Sequence, residues 1–146
     1  MERLDKLKDR AFGANKIQLM NASIKKTEEE IALQKKYAKE IDANYNKERK
    51  LIIDKYGAGL DADGNITNYD EMYSKFINKL KSLDPESAAY AEVESRFEAF
   101  KRDINQYEET LELKEDKEDE ITDLEIKNED EKLEVIQYAL EYTVEV

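Results

Sequence analysis

From Ile17 to Ile52 one row of residues recurs every seven positions (Ile17, Ile24, Ile31, Ala38, Tyr45 and Ile52), with a second row three residues after each (Met20, Thr27, Gln34, Ile41 and Glu48). Alternate steps of three and four put both rows on one face of a helix and average 3.5 residues, the period of a coiled-coil seam. The first row is apolar and the second is largely polar. Upstream, Leu4, Leu7, Ala11 and Ala14 repeat the pattern one residue out of phase, so the register is expected to slip near Gly13, where a helix can bend or pause. One helix is predicted over Glu2–Tyr56.

Helix propensity ends at Gly57-Ala58-Gly59, and the following LDADGNITNYDE is the chain's one dense cluster of turn formers. Asp63-Gly64, with Leu60 on one side and Ile66 on the other, suits a tight hairpin-like turn. Asn68 with Glu71 three residues on has the form of a capping box opening a short helix over 69–82, with Met72, Phe76, Ile77 and Leu80 on its buried face. Asp84-Pro85 supplies an N-cap and a proline at the first helical position, so a third, acidic helix is predicted over 85–146.

The seam of that helix runs through Tyr90, Val93, Phe97, Phe100, Ile104, Tyr107 and Leu111. Beyond Leu111 the register would place Lys114 and Glu118 inside, and apolar residues return at Ile121, Leu124 and Val135. Residues 112–134 hold 12 acidic residues and 4 Lys, the pattern of a solvated helix with a weak seam, or of a partner-dependent stretch. At the end Ile136, Tyr138, Leu140, Tyr142, Val144 and Val146 alternate as a strand would, while Val135, Tyr138 and Tyr142 keep helical spacing, so a β-like C-terminal end competes with helix. The apolar pattern continues to the last residue without a cap, which reads as an excerpt of a longer chain.

Composition narrows the function classes. With 41% charged residues, 40% apolar, four Gly and one Pro, little remains for a thick globular core. Neither Cys nor His occurs, which excludes thiol nucleophiles, imidazole catalysis, disulfides and the common structural zinc sites. Net charge is −12, split as about +4 over residues 1–60 and −16 over 61–146. An acidic second half repels phosphate, which disfavours nucleic acid as its partner, and the opposite signs let the halves attract one another. No apolar run approaches the roughly 20 residues of a membrane span, and no signal peptide opens the chain.

Candidate chemistry fails on spacing. Asp61, Asp63, Gly64, Ile66 and Asp70 can be laid on a calcium-binding EF-hand loop, but its first ligand position is then Gly59 and its last is Asp70 in place of a bidentate Glu. These aspartates are expected to serve as turn and cap groups, with no metal or other cofactor. Carboxylates on exposed helices lack the contrast of environments that acid–base catalysis needs. Tyr37, Tyr45, Tyr90, Tyr107, Tyr138 and Tyr142 lie on or beside the seams, where rings pack and hydroxyls reach the rim. No catalytic, cofactor-binding or metal-ligating residue is assigned.

The order of a Lys/Glu-rich helix, the segment YGAGLDADGNITNYDEMYSKFINKLKSLDPES, the run FEAFKRDINQYEETLELKEDKEDEI and the closing EVIQYALEYTVEV resembles the helical central region of tail tape-measure-type proteins of phages and prophages of gut bacteria. The resemblance extends from about Ile41 onward, and the DGNITNYDE loop, the LDPES turn and the QYEETLE run are its most specific parts. It implies a virion component that fills the tail tube, sets tube length during assembly and leaves with the genome. Its location would be the virion, or the cytoplasm of the bacterial host during assembly, with phage tail tube proteins as partners. A free-standing oligomeric coiled-coil scaffold or adaptor would share the periodicity, as would the helical regulatory segment of an enzyme.

The expected fold is therefore all-α: an elongated coiled coil or helical hairpin of two long helices and one short one, with helix over more than three quarters of the residues. If the turns at 57–68 and 83–84 both reverse the chain, the long helices run in the same direction. The end bearing Tyr138, Leu140, Tyr142 and Val144 is then uncovered and meets the basic region of Lys25, Lys26, Lys35, Lys36 and Lys39 in a second copy, an antiparallel dimer. A 55-residue helix is about 80 Å long at roughly 1.5 Å per residue. Small-angle scattering should give a radius of gyration well above the roughly 15 Å of a compact chain of this length, and a value near that figure would rule out the elongated form.

Overall fold

The computed structural model describes the backbone of residues 2–144 and the side chains of residues 12–142. Three helices, α1 (Glu2–Tyr56), α2 (Tyr69–Lys81) and α3 (Ala88–Val144), contain 55, 13 and 57 residues, well over three quarters of the chain. None of them is long and apolar enough, over the described residues, to cross a membrane.

In α1 every seam position from Ile17 to Ile52 is buried or half-buried, and Ile52 is fully buried. Among the described side chains no slip is seen near Gly13. Gly13 is itself buried, four residues before Ile17 and so in phase, while Ala14 is exposed; the side chains of Leu4, Leu7 and Ala11 lie outside the described residues. Gly13 holds the seam because an aromatic ring takes the space of a side chain: a Cβ there would stand 2.5 Å from Tyr142 Cε2.

The chain leaves α1 through Gly57, whose φ of +66° is open to glycine at little cost and whose N–H donates to Ile53 O at 2.9 Å. Leu60 and Ile66 then pair as an isolated antiparallel bridge around the Asp63-Gly64 turn. The expected capping box at Asn68 is absent. Asn68 makes no side-chain bond to α2; its Oδ1 accepts from Gly59 N at 2.8 Å and so ties the two ends of the loop together. Helix α2 ends one residue before the expected Ser82, whose N–H and hydroxyl both close on Lys79 O. Its expected face is the inward one, with Met72 buried and Phe76, Ile77 and Leu80 half-buried.

Helix α3 begins three residues later than Pro85. Asp84 organises a turn, accepting from Glu86 N on its side chain and from Ser87 N on its carbonyl, and Ser87 becomes the N-cap, its Oγ accepting from Tyr90 N at 3.1 Å. A serine placed three residues before the amide it caps outcompetes the Asp-Pro signal. At the far end α3 continues to Val144, so the β-like alternative is overturned for the described residues; Val146 lies outside them. Tyr138 and Tyr142, one turn apart, stack at 6.5 Å, and this helical contact takes both rings into the seam.

The direction of the long helices also differs from the conditional expectation. Tyr45 meets Tyr107 and Tyr56 meets Phe100, while nearer the other ends Thr27 meets Glu131 and Gly13 meets Tyr142. Numbers that rise on one helix as they fall on the other mean antiparallel pairing: the segment 57–87, α2 included, produces one net reversal. The seam of α1 is thus covered by α3 of the same chain.

Two compact units result, one of Lys39–Glu115 and one of Met1–Ala38 with Asp116–Val146. The first has an apolar core of Tyr45, Ile52, Ile66, Met72, Phe97, Phe100 and Tyr107. Phe76 of α2 enters it by stacking on Phe97 at 5.2 Å and meeting Phe100 at 5.2 Å. In the second unit the helices meet through a mixed seam, in which the tight fit of Gly13 can be checked directly. Gly→Ala inside a helix ordinarily stabilises by up to about 1 kcal/mol, whereas crowding a packed site costs about 1–3 kcal/mol. Gly13→Ala should therefore be neutral to destabilising in urea unfolding, and in a Tyr142→Ala background it should instead stabilise.

Candidate functional site: an anchored loop and a polar seam

The loop after α1 is held from both helices. Tyr107 is fully buried in α3, and its hydroxyl accepts from Ile66 N at 3.1 Å while lying 2.9 Å from the Tyr45 hydroxyl of α1. Tyr45 donates in turn to Asn65 Oδ1. Two tyrosines 5.3 Å apart, expected to send their hydroxyls to the rim, instead turn them inward to satisfy a backbone amide and an amide side chain. Arg49 closes the other side, donating from Nη1 to Gly64 O at 2.8 Å and lying 5.3 Å from the centre of the Tyr45 ring. Gly64 has φ +79°, the conformation that the turn requires.

One aspartate of this loop, Asp61, organises it. Asp61 Oδ1 accepts from both Asp63 N and Asn65 N at 2.9 Å, folding the turn around its own carboxylate. Asp70 and Glu71 stand in the first turn of α2, where the helix dipole favours negative charge. Gly59, in the first ligand position of the calcium pattern, donates its N–H to Asn68. Among the described residues no group of three or more Asp or Glu is placed to hold a metal ion.

Burial shifts the tyrosines of this unit. It pushes the Tyr107 hydroxyl above its ordinary value, reinforced by the hydrogen bond with Tyr45, and raises Tyr69 to about 12, with the Glu108 charge adding to burial. Near the end of α1, Tyr56 donates to Asp103 Oδ2 at 2.7 Å and Lys55 approaches the same oxygen at 3.3 Å. Tyr56 rises chiefly through burial, and Lys55 rises through its contacts with Tyr56 and Asp103. An open hollow beside them, lined by Lys55, Tyr56, Phe76, Ser95, Arg96 and Ala99, has both cations paired, Lys55 with Asp103 and Arg96 with Glu92. It presents no pair of carboxylates in contrasting surroundings.

The unit formed by the chain ends holds the second cluster, which the sequence did not reveal. Ser23 Oγ and Thr27 Oγ1 of α1 each donate to a different oxygen of Glu131 of α3 at 2.6 Å, and these bonds hold its carboxyl below the usual range. Lys117 Nζ bonds Gln34 Oε1 at 2.6 Å and Glu120 Oε2 at 2.9 Å, while Gln34 Nε2 donates to Glu30. Asn128 is buried beside Ile24. The burial stripe of α3 explains why these residues meet. It steps by three twice in succession, Leu111 to Lys114 to Lys117, before resuming alternate fours and threes at Ile121, Leu124, Asn128, Glu131, Val135, Tyr138 and Tyr142. Lys114 is half-buried as the original register requires, 5.3 Å from the centre of the Tyr45 ring, but Glu118 is exposed and Lys117 takes the seam position. The signal available was the pairing of polar seam residues: Thr27 and Gln34 on α1 face Glu131 and Lys117 on α3.

What both clusters can do chemically is position backbone and fix helix register. Comparison with protein-family models, with curated proteins and with solved structures finds no match for the chain.

Two measurements probe the clusters. Tyr107→Phe removes the oxygen that serves Ile66 N and Tyr45; the buried amide left unpaired should lower unfolding free energy by about 1–3 kcal/mol and speed hydrogen exchange at Ile66. Glu131 has a folded-state pKa below its unfolded value of about 4.3, so its stabilisation is present above that pH and lost as pH falls through the lower folded value. The stability difference between the wild type and Glu131→Gln should be widest near neutral pH and shrink as acidification protonates the Glu131 carboxylate.

Proposed function

We propose that this chain is a non-enzymatic structural coiled-coil segment, and that it belongs to a long tail tape-measure-type virion protein of a phage or prophage. The observation that carries the structural reading is the use of its reactive side chains: the hydroxyls of Tyr45 and Tyr107, the carboxylate of Glu131 and the ammonium of Lys117 hold helix to helix or loop to helix, and the carboxylate of Asp61 folds its own turn. Supporting the phage reading are the loop DGNITNYDE, the turn LDPES and the run QYEETLE, together with a helical content suited to a length-setting protein. Within this reading the segment acts in the virion, or in the bacterial cytoplasm during assembly. It associates with further copies of itself, as an antiparallel dimer, and with tail tube proteins.

The alternative, a free-standing scaffold or adaptor, draws support from the large apolar side chains exposed on α1 and α3, among them Phe12 and Leu19, each at least 70% exposed. The two are separated in phage particles. Mass spectrometry of purified virions should find peptides of this segment, and an in-frame deletion of it should shorten the tail. Tails of unchanged length and virions free of the peptides would defeat the tape-measure reading and leave the scaffold.

A further inference from the structure

In the unit formed by the chain ends, the seam that α3 shares with α1 leaves an apolar row on the outer side of α3. Ile126, Leu133, Ile136 and Leu140 each stand two positions before a seam residue: Asn128, Val135, Tyr138 and Tyr142. At about 100° per residue this sets all four some 200° around the helix from the seam, on the side turned away from α1. They are 54–60% exposed. Single exposed leucines are ordinary, but Ile126, Leu133 and Leu140 at intervals of seven, with Ile136 between the last two, have the pattern of a further helix contact. The row runs for about 21 Å at roughly 1.5 Å per residue, enough for two heptads of a partner helix.

The charges bordering the row select its occupant. On that side of α3 stand six carboxylates, Asp123, Glu125, Glu129, Asp130, Glu134 and Glu141, against two ammonium groups, Lys127 and Lys132, a balance of −4. The α1 residues paired with this border, Glu28 with Lys132 and Lys35 with Glu125, cancel one another and leave the balance unchanged. So acidic a border repels a second copy of the same face, and it repels the phosphates of nucleic acid or of an anionic lipid surface. The exposed row of α1, Phe12, Leu19 and Leu33, is a poor match as well. Glu29 and Glu30 lie beside it together with Lys25, Lys26 and Lys36, so its flanks are of mixed sign. The surface complementary to α3 is an apolar helix stripe bordered on both sides by lysine or arginine.

We propose that the outer face of α3 over residues 126–140 docks a basic amphipathic helix of another protein, laid along α3 on the side opposite α1. Leucine or isoleucine of the partner packs on the row of Ile126, Leu133, Ile136 and Leu140. Its lysines and arginines meet Asp123, Asp130 and Glu134 on one flank and Glu125 and Glu129 on the other. The apolar row supplies the attraction, while the carboxylates admit a basic helix and reject an acidic one. This goes beyond the proposed function and requires neither the tape-measure reading nor self-association.

Calorimetric titration of the full chain with synthetic three-heptad peptides tests the surface. The probe carries leucine at both seam positions of each heptad and lysine on the flanks; it should bind at micromolar concentration in low salt and weaken as salt rises. A peptide of the same composition whose leucines do not share a face, and one with glutamate in place of every lysine, should each bind more weakly by about tenfold or more. The variant Ile126→Gln, Leu133→Gln, Leu140→Gln keeps every charge and alters exposed positions only. It should retain the circular dichroism spectrum and melting of the wild type while weakening the probe by about tenfold or more, whereas Leu19→Gln on α1 should leave the probe unaffected. A probe that fails to bind, that binds the triple variant as tightly, or that is matched by either control peptide would overturn the proposal. Sedimentation of the chain alone covers the other occupant: a dimer that the triple variant dissociates would give this face to a second copy and overturn the basic partner.

Discussion

The Tyr107 hydroxyl is the point on which the helical reversal depends. A loop of twelve residues between α1 and α2 contains backbone amides that must find partners, and the short Leu60–Ile66 bridge satisfies only part of them. By accepting from Ile66 N and meeting the Tyr45 hydroxyl, Tyr107 ties the loop to α1 and α3 together and fixes which residue of one helix lies opposite which of the other. Ile52, Phe97 and Phe100 then bury in that register, and α2 has a defined aromatic surface on which to lay Met72 and Phe76. Hydrogen bonds within so dry a site are individually modest, but their partners have no water to fall back on, so the arrangement tolerates few alternatives.

The unit made of the chain ends solves a different problem with different chemistry. An entirely apolar heptad seam would accept several registers, because leucine against isoleucine is similar at every step. Thr27 with Glu131 and Gln34 with Lys117 are satisfied in one alignment only. A shift by a heptad would bury a lysine or a carboxylate against an apolar row. Polar seam residues thus trade some stability for register, the best attested use of such groups in helical pairs.

Much of this was legible from residue spacing. Helix α1 follows the 3,4 pattern along its whole described seam because no glycine after Gly13 and no proline interrupts it before Gly57, and the inward face of α2 follows from Met72, Phe76, Ile77 and Leu80 for the same reason. The hairpin-like turn was visible in Asp63-Gly64. What spacing concealed was decided by competition between neighbours or by tertiary contact. Asn68 bonds Gly59 instead of capping α2, and Ser87 displaces Asp84 as the N-cap because both offer an oxygen to nearby amides and only geometry chooses. The direction of α3 was illegible, since two local turns do not reveal whether the segment between the long helices reverses the chain once or twice. The alternating residues after Val135 carry both strand and helix periods, and the burial of Tyr138 and Tyr142 settled the matter. At Asp61, which shares a calcium-like spacing with Asp63, the turn that the residue folds around its own carboxylate gives it a structural part.

The paired seam carries a consequence for how such a region can change over evolutionary time. Because residues of α1 and α3 meet in antiparallel order, adding or losing a heptad in one arm strands the opposite heptad without a partner, and any number that is not a whole repeat turns the seam away from its mate. Growth and shrinkage must therefore be compensated, a repeat in one arm matched by a repeat at the facing position of the other, with the tyrosine-anchored bend left untouched. Length in this region is quantised in matched pairs of repeats, so related chains of different size should differ at two distant places in the sequence at once.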